Sequence, residues 1–232
     1  MAYKPKEMKE AKLNADGFGI GWLSRDSFFT YKNSYPVWND LNLKSISENV
    51  SSKLILGNVR SATISENNGL QNTHPFSFNN LLFSHNGYIG NFTDTNKQKI
   101  IERIDAKYLK LLKGNTDSEY IFCLFMQNLK KKKQVPLAIE KTFSILESIY
   151  KKILLNLLIG HINSKGKTTL FATRIGYNSE APSLYYKKDD GNDGYLISSE
   201  KMDNSKWVKV KNNSILCVKS NSIEEENINK IS

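Results

Sequence analysis

The chain has 232 residues, 39% of them hydrophobic and 24% charged. That is enough chain to bury a core, and too much apolar content for a disordered segment. The longest apolar stretch, 153–159, is interrupted by Asn156 and is too short to span a bilayer, and the charged residues 1–12 do not read as a secretory signal. A cytoplasmic protein without a membrane partner is expected. The net charge of +10, from 33 basic and 23 acidic residues, raises nucleic acid as a partner. Only four of the basic residues are arginines (Arg25, Arg60, Arg103 and Arg174) and the lysines are scattered, so the charge argues weakly for it. Cys123 and Cys217 both stand in apolar runs without paired histidines, which reads as two buried thiols rather than a disulfide or a metal site.

In chain order, the pattern predicts a hairpin of strands 18–24 and 28–32, an amphipathic helix over 43–52, an apolar strand over 53–60 and a buried strand over 81–85. Residues 96–112 read as one helix, because Ile100, Ile101, Ile104, Tyr108 and Leu111 recur at three- and four-residue steps. The next helix begins near Thr116, where Thr116-Asp117-Ser118-Glu119 has the spacing of a capping box. It ends in the lysines 130–133, cations that suit the negative end of a helix dipole more simply than they make a binding patch. Pro136 opens a further helix, read as running to about residue 163. Strands follow over 168–175, 184–188, 195–199, 207–210 and 214–219. Helices held between two groups of strands predict stacked layers in one α+β domain over residues 1–232.

Five short motifs carry chemistry. Gly17, Gly19 and Gly21 alternate with larger residues; in a strand they share a face, left bare for another backbone or a ligand, and a tight strand pair would use the same pattern. It is not a dinucleotide fingerprint, because Ser24 stands where the third glycine would fall and no strand precedes it. Val59-Arg60-Ser61-Ala62-Thr63 ends an apolar strand in a guanidinium, which either clamps a carboxylate through two parallel bonds or makes a surface salt bridge. In Asn72-Thr73-His74-Pro75-Phe76, Pro75 holds His74 extended, which favours a loop-fixing histidine over an acid or base. The strand 81–85 runs into Asn86-Gly87, which is either a type I′ hairpin turn or an oxyanion hole made by the Asn86 amide and the Gly87 N–H. Asp117 is either a carboxylate at the positive end of its helix or the partner of a substrate ammonium group.

Taken together and in this order, Asn14 to Trp22, Val59 to Thr63, Asn72 to Phe76, His85-Asn86-Gly87 and Thr116 to Glu119 closely resemble class II glutamine amidotransferases, a group of N-terminal-nucleophile hydrolases. Within that class the sequence is most similar to the small stand-alone branch that includes ergothioneine-pathway γ-glutamyl hydrolases and the amidotransferase-like subunit of a glutathione-degrading complex. Tyr35-Pro36-Val37-Trp38, Asn42-Leu43, Ser198-Ser199-Glu200, Trp207 and Ser214-Ile215-Leu216 add to the resemblance, which covers about residues 3–218.

The resemblance implies an αββα four-layer sandwich and a small-molecule substrate, glutamine or a γ-glutamyl compound. It implies no cofactor and no metal, and it leaves room for a partner subunit or a homo-oligomer. In the implied mechanism an N-terminal cysteine thiol attacks the γ-amide carbonyl, its own α-amine acts as general base, and water hydrolyses the thioester to release glutamate. Carried over by motif, Asn86 and Gly87 would hold the oxyanion, Arg60 the α-carboxylate and Asp117 the α-ammonium, with Thr63 and His74 shaping the pocket. The family's cysteine precedes a first strand, whereas the matching residues here begin at Ala2-Tyr3-Lys4-Pro5-Lys6, and Met1 is followed by Ala2. The expectation is therefore a γ-glutamyl amide hydrolase lacking its first strand and its nucleophile, inactive as it stands, with a non-catalytic γ-glutamyl-binding module as the alternative.

Overall fold

In the computed structural model, the residues described are 13–61, 69–191, 193–219 and 222–228. β1 (Phe18–Ser24) and β2 (Ser27–Asn33) form the expected hairpin, with Ser24 opposite Ser27 and Arg25 in the left-handed region that a tight turn needs. α1 (Leu43–Asn49) leads to β3 (Ile55–Val59), which pairs with the other edge of β1 to complete a three-stranded antiparallel sheet. Leu23, Phe28, Leu54 and Leu56 turn inward and pack on Leu82 and Ile162 of a second sheet.

That second sheet is six-stranded and antiparallel. It contains β4 (Phe76–Phe78), β5 (Leu81–Ile89), β6 (Ile153–Ile162) and β7 (Thr168–Tyr177). After β8 (Tyr185–Lys188), β9 (Tyr195–Ser198) and β10 (Val208–Lys209), which form a small sheet of their own, it is completed by β11 (Ser214–Lys219) and β12 (Ser222–Asn227). Its order is β12-β11-β7-β6-β5-β4. Between β5 and β6 the chain makes α2 (Asp94–Ile101), α3 (Ala106–Leu109), α4 (Asp117–Lys132) and α5 (Val135–Glu147). The helices cover the face carrying Phe83, Leu155, Leu157 and Ile159, against Ile121, Phe122, Phe125, Ile139 and Leu146. Phe83 stacks on Phe122 with ring centroids 4.8 Å apart. Each fully buried side chain of this size contributes roughly 1.5–3 kcal/mol. Helices, six-stranded sheet and three-stranded sheet thus succeed one another in a mixed α+β fold.

The structure corrects the sequence reading in three places and removes one of two open readings in a fourth. The helix from Pro136 ends at Glu147, and the run continuing toward residue 163 is the strand β6. β6 lies between β5 and β7 with both faces covered, so its sequence is mostly apolar on both faces, Asn156 and His161 apart, rather than alternating, a pattern that does not separate strand from helix. The single helix over 96–112 is two, α2 and α3. The buried Gln127 of α4 occupies the break: its Nε2 donates to Arg103 O at 2.8 Å and its Oε1 accepts from Asp105 N at 2.6 Å. These bonds replace helical ones and set the angle between the pieces. The capping box does not form: the Thr116 Oγ1 has no hydrogen-bond partner, and Glu119 instead accepts from the N–H groups of Lys113 and Gly114 at 3.0 and 2.7 Å. Finally, Asn86-Gly87 is not a hairpin turn, because β5 runs on through it to Ile89.

Candidate functional site

The bare face of β1 receives a loop. A Cβ on Gly19 would lie 2.2 Å from the carbonyl oxygen of His74, and one on Gly21 would meet Leu82 at 2.6 Å and Pro75 at 2.9 Å. The glycines therefore draw residues 73–75 against the three-stranded sheet. Lys32 donates to Thr73 O at 2.9 Å, and the His74–Pro75 peptide is cis. His74 is buried, with its ring 4.5 Å from that of Phe76, and its Nε2 has no hydrogen-bond partner. Burial, then the nearby His85, Arg60 and Lys32, hold its pKa well below the ordinary 6.5, so the ring is neutral.

Arg60 follows directly on β3. Its N–H donates to Gly17 O at 2.9 Å and its carbonyl accepts from Asp16 N at 3.0 Å, so the pairing with the β1 side continues one step beyond the strand. Alternation puts its side chain on the inward face with Leu54 and Leu56. The guanidinium is partly buried, and its Nη1 is enclosed without a hydrogen-bond partner. Burial lowers its pKa, against the favourable charges of Asp16 and Asp117. Tertiary packing thus brings together Arg60 and Asp117, which are far apart in sequence. At the start of α4, Asp117 Oδ2 accepts from Ile89 N at 2.9 Å and Oδ1 from Ser118 N at 2.7 Å. The carboxylate pins the helix N-terminus to the end of β5. Thr63 lies outside the described residues.

His85, Asn86 and Gly87 stand on β5 between those anchors. His85 Nε2 lies 2.9 Å from Leu154 O, which can only accept, and Nδ1 lies 2.9 Å from Ser118 Oγ. Nε2 therefore carries a proton, and the Ser118 hydroxyl beside Nδ1 also lies 3.2 Å from Asp117 Oδ1 as its donor. A Cβ on Gly87 would sit 2.0 Å from Leu154 O and 2.8 Å from His85 Nε2, so only glycine lets this bond form. The Gly90 N–H donates to Lys152 O on the β6 side, whereas the Ile89 N–H leaves the other edge toward Asp117. By the strand's alternation the Gly87 N–H is directed at that same edge. The Asn86 side chain is exposed and shares with Leu82 the face turned away from the helices.

A row of polar residues that sequence reasoning passed over continues from Asn86 across the sheet. Asn156 pairs directly with Asn86, and Ser214 with Arg174. Since Leu155 pairs with Ile175 and Leu158 with Ala172, Asn156 stands across from Arg174. Asn156, Arg174 and Ser214 are buried. The signal for Asn156 was its interruption of an apolar run; for Arg174, a lone arginine in a strand.

Neither thiol is activated. Cys123 is buried with its Sγ 3.3 Å from Tyr108 O, and burial pushes its pKa up to about 12; Cys217 is raised by the same cause. Among the described residues no three His, Cys, Asp or Glu side chains are placed to hold a metal, and no helix is long and apolar enough to cross a membrane.

Residues 3–175 match the model of the class-II glutamine amidotransferases, and the chain belongs to that family. It is 38% identical over 128 residues to the probable glutamine amidotransferase DUG3 of Saccharomyces cerevisiae, covering 51% of this chain and 34% of that protein. It is 32% identical over 88 residues to the gamma-glutamyl-hercynylcysteine sulfoxide hydrolase of Mycobacterium tuberculosis, covering 38% of each. The aligned parts span between a third and two fifths of these relatives' lengths. Among solved structures, a glutamine aminotransferase class-II domain protein from Silicibacter pomeroyi superposes with a TM-score of 0.72 at 26% identity, covering 90% of both chains.

Proposed function

We propose that the site binds the γ-glutamyl group of glutamine or of a γ-glutamyl compound, and that it is the site of a cytoplasmic γ-glutamyl amide hydrolase built as one domain over residues 1–232. The observation that carries this reading is the enclosed Arg60 Nη1, a charged donor without a partner, within the favourable electrostatic reach of the Asp117 carboxylate. Arg60 takes the α-carboxylate in a charge-assisted bond. Asp117 Oδ1 already accepts from the N–H and the hydroxyl of Ser118 and Oδ2 from Ile89 N, and the remaining lone pair of Oδ2 receives the α-ammonium. The Gly87 N–H and the Asn86 amide reach the γ-carbonyl oxygen and stabilise it as it becomes an oxyanion. His74 walls the pocket as a neutral group that does not compete for the carboxylate. The names of the two curated relatives, an amidotransferase and a γ-glutamyl hydrolase, support the same substrate class.

The chemical step calls for an activated thiol, and Cys123 and Cys217 do not supply one. A module that binds the γ-glutamyl group without turning it over is therefore the second reading. Calorimetry with L-glutamine tests the shared premise. Binding is expected, and Arg60→Ala or Asp117→Ala should weaken it by about 2–4 kcal/mol, roughly 30- to 1,000-fold. Absence of binding to the wild-type chain, or intact binding in both variants, would sink the proposal. Glutamate release from the same mixture separates hydrolase from binding module.

A further inference from the structure

Asn156 is 4% exposed, and its side-chain amide is held at one end only. Both hydrogens of its Nδ2 are taken, by Pro182 O and by Ser183 O, each at 3.0 Å. This fixes which end of the amide is which, and it turns the Oδ1 away from residues 182–183. That oxygen is buried and has no hydrogen-bond partner, a rare state for a buried acceptor. The carbonyls that hold the amide are themselves clamped. Arg174 donates from Nε to Pro182 O at 2.9 Å and from Nη2 to Ala181 O at 3.0 Å and to Glu180 at 2.7 Å. Behind Asn156, the Thr173 hydroxyl replaces strand-to-strand bonds, accepting from Leu157 N at 3.0 Å and donating to Leu155 O at 2.8 Å. The acceptor is thus rigidly placed.

What stands next to it is Asn86, its partner in the β5–β6 ladder. Directly opposed residues of an antiparallel pair project from the same face with Cβ atoms about 4.5–5.5 Å apart. The two ends of the Asn86 amide are almost the same shape, but only the NH2 end can donate to an oxyanion. We propose that Asn156 is a positioning residue for Asn86: when the ligand is bound, its unpartnered Oδ1 takes one Nδ2 hydrogen of Asn86 and leaves the other for the γ-carbonyl oxygen. The opposite orientation would set two carbonyl oxygens against each other. This inference rests on the γ-glutamyl reading of the site. It assigns the buried row Asn156–Arg174, together with residues 180–183, to holding the oxyanion donor.

The test is a double-mutant cycle on L-glutamine affinity by calorimetry. Asn86→Ala and Asn156→Ala should each weaken binding about five- to tenfold, the size of one hydrogen bond. The double variant should be no more than about twofold weaker than Asn86→Ala alone. Asn156→Asp keeps the acceptor while giving up the bonds to Pro182 and Ser183; it should melt lower yet bind within about threefold of wild type. Additive losses, or Asn156→Asp binding as weakly as Asn156→Ala, overturn the inference and leave the function standing. Wild-type protein that binds no L-glutamine overturns both. Should Asn156→Ala fail to fold, proton exchange of the Asn86 side-chain amide in the L-glutamine complex decides: protection of both hydrogens is expected, and protection of only one refutes the inference.

Discussion

Gly19→Ala tests whether the bare face of β1 is what seats the His74 loop. The added Cβ would lie 2.2 Å from His74 O, 3.0 Å from Lys32 Cγ and 3.1 Å from His74 C. A carbon–oxygen contact takes roughly 3.3 Å, so strand and loop must part by about 1 Å, and the main obstacle is backbone rather than the tip of a flexible side chain. Forced overpacking of this kind costs about 1–3 kcal/mol. Alanine also restricts the unfolded chain, which returns about 0.4–1 kcal/mol. The net expectation is a loss of about 1–2 kcal/mol, or roughly 2–8 °C in Tm for a chain of this length. Gly57, in the same sheet, is the control: a Cβ there meets nothing within 4 Å, so Gly57→Ala should stay within about 0.5 kcal/mol of wild type. Urea unfolding with unchanged m-values measures both. Gly19→Ala should also weaken L-glutamine binding, because His74 moves with the loop. If the two variants unfold within about 0.5 kcal/mol of each other, close packing of the loop on Gly19 does not stabilise the fold and the reasoning fails.

Three further predictions follow from burial. His74 stays neutral in the fold, below its ordinary value of 6.5, while the unfolded chain takes up a proton there. Stability is therefore flat above pH 6.5 and falls as pH drops below it, by up to about 1.4 kcal/mol per pH unit for this one group. His161, also lowered by burial, acts with the same sign. Unfolding of His74→Gln between pH 5 and 7.5 should show a shallower slope than wild type, and an equal slope would refute the assignment. Cys123, with its pKa near 12, should resist a disulfide reagent at pH 8 until urea is added, and Cys123→Ala should leave L-glutamine affinity unchanged; rapid labelling of the native thiol would contradict its burial. Gln127→Ala leaves the Arg103 carbonyl and the Asp105 N–H without their partner. It should cost about 1–2 kcal/mol and speed hydrogen exchange at the Asp105 amide, whereas unchanged exchange would mean that the bridge does not hold the break.

Some of this protein is settled by chemistry within a few neighbouring residues. The β1–β2 hairpin, the start of α4 just after Thr116 and the placement of Pro136 in the first turn of α5 follow from alternation, turn residues and helix-end preferences. The glycine stripe announced a close approach, and the order of five short motifs announced the family. What those motifs could not announce was who would approach whom. The occupant of the glycine face is the His74 backbone, and Asn86-Gly87, a good turn pair in isolation, is held straight by nine residues of pairing with β6.

The rest was decided by contacts between distant segments. β6 is a strand because β5 and β7 satisfy its backbone on either side, and its own apolar run could have been a helix. The helix expected over 96–112 is broken because Gln127 supplies better-placed partners than the helix itself. Glu119 leaves its cap because two N–H groups of the preceding loop lie within reach. The same holds for the site: a local pattern fixes what a residue can do, but the meeting of Arg60 with Asp117, and of Asn156 with Asn86, depends on hydrogen bonds closed across 28 to 69 positions of chain or more. Such bonds form only once the sheets and helices have packed, and for that reason sequence periodicity carries no record of them.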